Sequence, residues 1–213
     1  MTAQATDRYQ EHRGQAILAA ASVFSEKGFH GATTRDIAER LGIKQGSLYY
    51  YFRSKEEALE EVCLFGIRDY VHRLDEIADS DQPFEAKLMS VLTSHLSSYR
   101  EKNEALKVHN DERLYLPPAK RSRLKELGTH YRETLERMFE EGVADGTLRE
   151  LVDCHFAAQS VIGLCNAWGE VIVRDPTLDV FAIIRKCADL LLTGFRGRRS
   201  TTSRNGESGR RAS

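Results

Sequence analysis

The sequence predicts an all-α protein of about nine helices, with a small three-helix head at the N-terminus and a larger helical body behind it. Apolar residues recur every three or four positions along most of the chain, and no stretch alternates apolar and polar residues as a half-buried strand does. Hydrophobic residues make up 41% and charged residues 30% of the 213 residues, a balance typical of folded globular proteins. A chain of this length can form one or two domains around a sizeable core.

The three helices of the head are predicted from their ends. A first helix is expected over about residues 13–27. Thr33 and Asp36, three residues apart, are typical of a capping box at the start of a second helix, and Gly42 follows that helix as a turn residue. A third, short helix is expected over about residues 45–52.

The body begins with a long fourth helix. Ser54 and Glu57 form a second capping-box pattern at its start, and its apolar stripe continues from the head into the body. Further helices are expected over about residues 84–101, 104–115, 119–144, 153–173 and 178–195.

Charge is unevenly distributed along the chain, although the formal net charge is only −1. Residues 1–54 carry seven Lys and Arg against five Asp and Glu, residues 196–213 carry six against one, and the excess acid lies between them. An acidic body with mildly basic ends suits a protein that presents one end to a polyanion.

The composition argues against a cofactor, a metal and a membrane span. Cys63, Cys154, Cys165 and Cys187 lie far apart and form no C-x-x-C pair, so we expect reduced core cysteines and neither a metal site nor a redox site. No leader-like N-terminus is apparent, and no uninterrupted apolar run approaches the ~20 residues of a membrane span. A cytoplasmic protein without cofactor is the expectation.

The stretch from Thr33 to Leu59, TTRDIAERLGIKQGSLYYYFRSKEEAL, carries the functional signal. Two short helices joined by a glycine-containing turn are typical of a helix-turn-helix, whose second helix enters the DNA major groove. Three consecutive tyrosines after Gly46 suit a surface for phosphates and bases better than a solvated face.

This head closely resembles that of the TetR-type regulators, whose pattern is G-x-x-x-T-T-x-x-I-A-x-x-x-G-x-x-x-G-x-L-Y-x-Y-F-x-x-K-x-x-L. The match covers about residues 13–60, and the turn glycines, the L-Y-x-Y-F run and Lys55 all fall in register. The rest of the chain resembles the family only in the number and length of its helices. The resemblance implies a transcriptional regulator, most commonly a repressor, that binds operator DNA.

The resemblance also implies roles for individual residues of the head. The residues expected to hold phosphates are Thr34, Tyr49, Tyr50 and Lys55. The residues expected at base-contacting positions are Arg35, Lys44, Gln45 and Ser47, with Gly46 letting the backbone approach the DNA. No catalytic residue is implied.

A homodimer is expected, because one head makes few contacts and helix-turn-helix proteins commonly pair on half-sites about 34 to 36 Å apart. The last two helices are the candidate interface, and in resembling proteins they build a four-helix contact with the partner. The residues assigned to it are Phe156, Gly163, Ala167, Phe181, Ile184, Ala188, Leu191, Leu192 and Phe195. The alternative is that this stripe packs within one chain.

The body is where the resembling proteins hold a small-molecule inducer. A pocket needs apolar walls with a few polar groups. The candidate residues are Tyr99, His109, Arg113, Tyr131, Asn166 and Trp168, with His95 and Phe139 as further pocket-type side chains. Asn166 and Trp168 resemble positions in regulators that respond to acyl-CoA thioesters, so an acyl-CoA or a similar apolar metabolite is the expected effector.

These interpretations divide the chain into four predicted segments. They are a flexible N-terminal arm (1–12), a helix-turn-helix DNA-binding domain (13–58), an effector-binding and dimerisation domain (59–196) and a disordered basic tail (197–213). A ligand is expected to tilt the fourth helix and so change the separation of the two heads.

Two other functions remain open from the sequence. One is a DNA-binding nucleoid or division factor whose body docks other proteins. The other is an enzyme that uses the cluster His109-Asn110-Asp111-Glu112-Arg113, although adjacent residues on a helix point in different directions and do not readily converge on one metal. The sequence contains no phosphate loop, nucleophile elbow or zinc-protease motif.

Overall fold

The computed structural model describes the backbone of residues 3–195 and the side chains of residues 8–194. Within that part of the chain there are nine α-helices, one short 3₁₀ turn and no β-strand. The helices are α1 (Ala3–Gly31), α2 (Thr34–Leu41), α3 (Gln45–Leu48), α4 (Lys55–Ala78), α5 (Phe84–Glu101), α6 (Asn103–Glu112), α7 (Pro118–Ala144), α8 (Cys154–Arg174) and α9 (Val180–Phe195), and the 3₁₀ turn is Arg113–Tyr115. The all-α prediction is confirmed. The predicted basic tail lies outside the described residues.

Helix α1 begins about ten residues before its predicted start, which corrects the predicted flexible arm. Residues 3–12 contain no helix breaker, and their Ala, Gln, Glu and Arg side chains are good helix formers, so the helix propagates towards the N-terminus. The other end of α1 is kinked at Gly28, where φ is 68° and ψ is 168°, a backbone conformation that residues other than glycine avoid.

Helix α2 has the predicted cap. Thr33 Oγ1 accepts from the Asp36 backbone N–H at 3.1 Å, and the Thr33 N–H donates to Asp36 Oδ2 at 2.8 Å. Gly42 ends the helix in the left-handed conformation with φ 75°. Both capping groups therefore lie where the sequence predicts them.

Helix α3 is shorter than predicted. Regular α-helix covers only 45–48, and the chain continues to Phe52 in turns, in which the Tyr50 N–H donates to Ser47 O and the Tyr51 N–H to Leu48 O. The chain must leave the helix here, because Phe52 turns into the head core and Ser54 caps α4.

Helix α4 joins the head to the body. It packs against α1 in the head and against α5, α6 and α7 in the body. Its buried stripe belongs to one continuous core that runs from Ala16 to Leu191. Helix α6 lies between α1 and α4, so it also contacts both parts of the molecule.

In the body, α5 is covered by α8 and α9, and α7 packs against α4 and α8. Two prolines separate α6 from α7, and Pro118 occupies the first turn of α7, where its missing N–H costs nothing. All four cysteines are free thiols. Three of them are buried and Cys154 is half-buried.

Helix α8 contains no uninterrupted apolar run of about 20 residues, but its average composition is apolar. By length and composition alone α8 could span a membrane, with a mean hydropathy of 1.3 in the tested window, only 33% of which is buried inside the protein. Core helices of globular proteins often pass the same test, but α8 is mostly uncovered in a single chain. An apolar helix face of this kind needs another surface to cover it.

Candidate DNA-binding surface and effector pocket

The residues predicted to contact DNA form one exposed surface around α3. The side chains of Leu48 and Phe52 point into the head core, with 2% and 3% of their surfaces exposed. The residues between and before them face solvent, namely Lys44, Gln45, Gly46, Ser47, Tyr49 and Tyr50. Tyr50 keeps 70% of its surface exposed, which is unusual for a large aromatic side chain without a partner molecule.

Helix α2 contributes the other predicted residues to this surface. The Gln45 amide Nε2 donates to Thr34 Oγ1 at 3.1 Å, so a predicted base contact and a predicted phosphate contact are adjacent. Arg35 forms an exposed ion pair with Glu39 at 2.9 Å, one turn along the same helix. Exposed pairs of this kind contribute little to stability, so the guanidinium can exchange Glu39 for a DNA group.

Lys55 occupies a different position from the one the resemblance implies. Its ammonium donates to Phe29 O at 2.8 Å and to Ala32 O at 2.9 Å, and it lies 4.4 Å from the centroid of the Phe29 ring. These carbonyls lie at the end of α1, where they have no partner inside the helix. In this structure the Lys55 ammonium is therefore bound within the head, and the phosphate contact implied by the resemblance stays a prediction.

The N-terminal extension of α1 reaches the tyrosines that follow α3. The Tyr9 ring lies edge-on to Tyr50 with centroids 5.3 Å apart and stacks on Tyr51 at 6.4 Å. Sequence patterns rarely identify an aromatic contact of this kind, and the helical periodicity does not mark Tyr9 as a contact residue. The extension thus supports the predicted DNA surface from behind.

Two adjoining cavities enter the body beside the end of α6. The outer cavity has a volume of about 560 Å³, and its lining includes the basic side chains of Arg113, Arg121 and Lys125. The inner cavity has a volume of about 160 Å³ and shares His109 and Arg113 with the outer one. The two cavities therefore adjoin at these two residues.

The structure brings together most of the predicted effector residues. His109, Arg113, Tyr131 and Asn166 line the inner cavity. Tyr99 donates its hydroxyl to Asn166 Oδ1 at 3.2 Å and lines a neighbouring cavity of about 320 Å³.

Two of the remaining pocket-type residues do not line any of these cavities. Trp168 lines none of these three cavities, and 37% of its surface is exposed, so its assignment as a pocket residue stays a prediction. Its position on α8, two residues after Asn166, turns its side chain to a different face of the helix. Phe139 belongs to the buried core and packs on Phe84 with ring centroids 5.1 Å apart.

His95 is the pocket residue that the sequence singled out least. It lies 1% exposed in the inner cavity, stacked on Tyr70 with centroids 4.3 Å apart, and its Nδ1 is 3.0 Å from the Tyr131 hydroxyl. Burial lowers the pKa of His95 to about 3, against a smaller opposing effect of the Asn166 side chain. The ring is therefore neutral at pH 7.

His109 is also neutral. Burial, assisted by the nearby Arg113 charge, lowers its pKa to about 4, while a hydrogen bond to the Cys63 backbone opposes the shift. His95 Nε2 and His109 Nδ1 are both buried and have no hydrogen-bond partner among the described residues. Unpaired buried polar atoms are rare in proteins, and two of them face this region.

Phe29 is a point of contact between the head and the residues that lie beside the cavities. Glu112, at the end of α6, accepts the Phe29 N–H at 2.9 Å, and the Tyr115 ring stacks on the Phe29 ring with centroids 6.1 Å apart. Arg113 and Leu114, which line the outer cavity, lie between these two residues in the chain. We call this contact the Phe29 junction (Phe29 with Glu112, Tyr115 and Lys55).

The same geometry separates the members of the reactive-looking cluster at the end of α6. Glu112 is directed to the head backbone, whereas His109 is directed to Cys63 and the cavities. Among the described residues no group of three His, Cys, Asp or Glu side chains could hold a metal ion.

The predicted dimer residues divide into two groups. Phe156 and Phe181 are 67% and 64% exposed, and Gly163 and Ala167 are also exposed. The prediction is corrected for Ile184, Ala188 and Leu191, which are buried in the core of a single chain on a helix that packs mainly against α5. Leu192 is half-buried, and the side chain of Phe195 lies outside the described residues.

An additional exposed apolar residue on α8 went unpredicted. Val171 is 39% exposed and follows Ala167 by four residues, which places it on the same side of the helix. Its spacing is the signal that could have identified it. The exposed side of α8 therefore extends over several turns, from Phe156 to Val171.

A helix-turn-helix head with an exposed polar α3, joined to a helical body that contains cavities, defines a DNA-binding regulatory protein. Comparison with known families agrees with this class. Residues 16–62 match the family described as "Bacterial regulatory proteins, tetR family", and residues 81–195 match the "Tetracyclin repressor-like, C-terminal domain". The chain belongs to the TetR family of bacterial regulatory proteins.

Individual relatives are transcriptional regulators. The chain is 33% identical over 146 residues to the HTH-type transcriptional repressor KstR2 of Rhodococcus jostii, a match that covers 68% of this chain and 72% of that one. It is 25% identical to the fatty acid metabolism regulator protein of Bacillus subtilis, over 85% of this chain and 94% of the relative. The solved structure of FadR from Bacillus subtilis in complex with stearoyl-CoA superimposes with a TM-score of 0.73 at 25% identity, covering 84% and 97% of the two chains.

Proposed function

We propose that this protein is a transcriptional repressor that binds operator DNA as a homodimer and is released from it by an acyl-CoA thioester. The observation that carries the proposal is the joint presence of the exposed α3 surface and a basic-mouthed cavity in a chain similar to a regulator solved with stearoyl-CoA. A cytoplasmic location and the absence of enzymatic activity follow from this function and are part of the proposal.

The α3 surface would supply the DNA contacts. Lys44, Gln45 and Ser47 present an ammonium, an amide and a hydroxyl at the start of α3, and such groups bind base edges in the major groove. Arg35 would join them after exchanging Glu39, and Thr34, Tyr49 and Tyr50 would donate to phosphates. Gly46 leaves room for the backbone, since nothing lies within 4 Å of a Cβ built there.

Lys55 would support this surface indirectly. Because its ammonium binds the last carbonyls of α1, its role is to hold the end of α1 against the start of α4. The role implied by the family pattern, a phosphate contact, would require it to leave both carbonyls.

The dimer would form through the exposed side of α8 and the adjoining part of α9. Phe156, Gly163, Ala167 and Phe181 lie there, and the small residues allow a partner helix to approach closely. This also accounts for the low burial of α8, because a second copy would cover its apolar side.

The effector would enter through the basic outer cavity. Arg113, Arg121 and Lys125 suit the phosphates of coenzyme A, since guanidinium and ammonium groups bind phosphate oxygens strongly. The acyl group would then occupy the inner cavity beside His109 and Tyr131. Both cavities belong to the same body as the proposed dimer face.

Release would be transmitted through the Phe29 junction. A ligand that displaces Arg113 or Leu114 would also shift Glu112 and Tyr115, which hold the backbone and ring of Phe29. Helices α4 and α6 both contact α1, so such a shift would rotate the head relative to the dimer face. The ligand acts in this way only if it binds the rotated state more tightly.

The DNA proposal is tested by selecting bound sequences from a random pool and titrating the best site by gel shift. A palindromic site is expected. Gln45→Ala should relax preference at a single base position by about 1–3 kcal/mol, whereas Tyr49→Ala should weaken binding to all sequences alike. Gln82→Ala, an exposed change in the loop after α4, is the control. Enrichment of no sequence would favour the alternative of a protein-docking nucleoid or division factor.

The effector and dimer proposals need separate measurements. Octanoyl-CoA should release the selected operator, and octanoic acid should not, because the free acid lacks the phosphates of coenzyme A. Phe156→Glu combined with Phe181→Glu should yield a monomer in sedimentation, whereas Leu151→Glu, at a residue 97% exposed before α8, should leave the dimer intact. A dimer that survives the double change would contradict the proposed interface.

A further inference from the structure

The inner cavity is more polar and smaller than a long alkyl chain requires. Its volume of about 160 Å³ lies below the ~300–1,000 Å³ of typical small-molecule sites. Tyr70, His95, His109 and Tyr131 are among its lining residues, and two imidazole nitrogens there are unpaired. A saturated chain would leave both nitrogens unsatisfied, at a cost in affinity.

The hydrogen bonds of the two histidines define which nitrogen carries the proton. Tyr131 is fully enclosed, its pKa is raised well above the ordinary value by burial, and His95 Nδ1 is the only hydrogen-bond partner described for its hydroxyl. A buried phenol needs an acceptor, so we assign the Tyr131 hydroxyl as the donor and His95 Nδ1 as the acceptor. The neutral ring of His95 then carries its proton on Nε2.

For His109 the same reasoning makes the unpaired nitrogen a hydrogen-bond acceptor. Nδ1 of His109 is buried without a hydrogen-bond partner among the described residues, and the ring also lies beside the Cys63 backbone. We assign the proton of the neutral ring to Nε2, as donor to that backbone, which leaves a free lone pair on Nδ1. The cavity therefore offers one nitrogen acceptor, from His109, and one N–H donor, from His95, which lies beside the Asn166 side chain.

We propose that the inner cavity recognises a compact acyl group that carries a hydroxyl, with His95 Nε2–H donating to its oxygen and His109 Nδ1 accepting its proton. A hydroxyl is the simplest group that can satisfy a donor and an acceptor. The inference rests on the proposed acyl-CoA effector and narrows it from fatty acyl thioesters in general to hydroxyacyl thioesters. Reactions that hydrate an enoyl thioester or reduce a ketoacyl thioester form such compounds.

The test compares octanoyl-CoA with 3-hydroxyoctanoyl-CoA and 8-hydroxyoctanoyl-CoA, by calorimetric binding and by release of the selected operator. One of the hydroxylated probes should bind about tenfold or more tightly than octanoyl-CoA, because only it pairs the buried nitrogens. Equal binding of all three would overturn the inference and keep the proposed effector class, and would indicate that an ordered water satisfies the histidines. Binding of none would overturn both.

Variants place the preference on the named atoms. His109→Leu and His95→Phe should abolish the preference, so that each variant binds the hydroxylated probe no more tightly than it binds octanoyl-CoA. Tyr131→Phe keeps the ring and removes only the hydroxyl that orients His95, so it should weaken the preference even if the other variants fold poorly. His72→Leu, at an exposed position on α4, is the control. An unchanged preference in all three variants would contradict the assignment.

A measurement without ligand tests the assignment itself. Nitrogen NMR of the folded protein at pH 7 should show both His95 and His109 neutral and protonated at Nε2. A protonated Nδ1 on His109 would remove the acceptor and overturn the proposal whatever the probes do.

Discussion

The head and the body of this regulator expose their functional groups in opposite ways. In the head, the candidate DNA residues lie on the outside, within the single stretch 34–50 of the chain. In the body, the candidate effector residues line a cavity: His95 and Tyr131 are buried, His109 is half-buried and Asn166 is exposed, and the four come from four different helices. A surface made by one local motif is easier to recognise in a sequence than a cavity assembled by packing.

The two regions also differ in whether their polar groups have hydrogen-bond partners. The α3 surface has solvent as a partner in the absence of DNA, so its polar groups carry no penalty. The inner cavity keeps two unpaired nitrogens away from solvent. The body therefore holds an energetic cost that a ligand can remove, whereas the head holds no such cost.

The largest expected effect is a loss of stability in acid, located in the body. The pKa values of His95 and His109 are lowered to about 3 and 4, whereas an unfolded chain binds these protons near pH 6.5. Their contribution is present above pH 6.5 and is lost as the pH falls towards 4. At pH 5 each costs about 2 kcal/mol, so the free energy of unfolding should fall by about 4 kcal/mol in total.

Urea unfolding at pH 7 and pH 5 checks this effect. The double variant His95→Phe and His109→Leu should lose most of the dependence. Replacement of the exposed head histidines His12 and His30 by Leu is the matched control. Equal pH dependence of the wild type and the double variant would disprove the location.

The next effect concerns packing between α5 and α8. A Cβ at Gly169 would lie 2.2 Å from Tyr99 Cε2, and the Tyr99 ring is buried and held by Asn166. Gly169→Ala should therefore destabilise the protein by about 3 kcal/mol. Gly14→Ala in the head, with nothing within 4 Å, should be neutral or stabilising because alanine favours helix. Thermal unfolding of both variants compares the two regions, and a neutral Gly169→Ala would show that Tyr99 can move aside.

A smaller effect distinguishes support from DNA contact within the head. Lys55→Ala should lower the free energy of unfolding by about 2 kcal/mol, since it removes two hydrogen bonds from a charged donor. Its salt slope for DNA binding should stay that of the wild type. Lys44→Ala should show the reverse, with stability unchanged and the slope reduced by about one. A reduced slope for Lys55→Ala would restore the phosphate role that the family pattern implies.

The smallest effect concerns the N-terminal extension of α1. Tyr9→Ala should cost about 1 kcal/mol, the usual contribution of an aromatic contact, through Tyr50 and Tyr51. Chemical unfolding measures it, and Gln10→Ala, at an exposed neighbouring position, is the control. Equal stability of the two variants would indicate that the extension does not support the tyrosines.

The sequence was sufficient for the fold because amphipathic periodicity and caps are local. The caps at Thr33 and Ser54 and the helix-ending Gly42 lie as predicted, since each depends on neighbours within a few residues. The N-terminal limit of α1 was wrong because no local signal marks it. Helix α3 ends earlier than predicted because Phe52 packs into the head core and Ser54 caps α4. These contacts depend on the tertiary structure and are not visible in the local sequence.

The site residues could be predicted from the sequence only where they belong to one local motif, as in the helix-turn-helix. The stripe of Ile184, Ala188 and Leu191 has the same spacing whether it packs within a chain or between chains, so periodicity could not assign it. Trp168 and Asn166 differ by two residues and face different sides of α8. Lys55 matches the family pattern in sequence, but its partners, the carbonyls of Phe29 and Ala32, appear only when α1 and α4 are packed.

The Phe29 junction determines whether the head of one regulator can work with the body of another. A single residue has its N–H bound by Glu112 of the body and its C=O by Lys55 of the head. A chimera that joins this head to another regulator's body would keep Lys55 and lose Glu112 unless the new α6 ends in an acceptor of the same reach. Such a chimera would bind its operator and ignore its ligand, and grafting Glu112 and Tyr115 together is the smallest change expected to reconnect them.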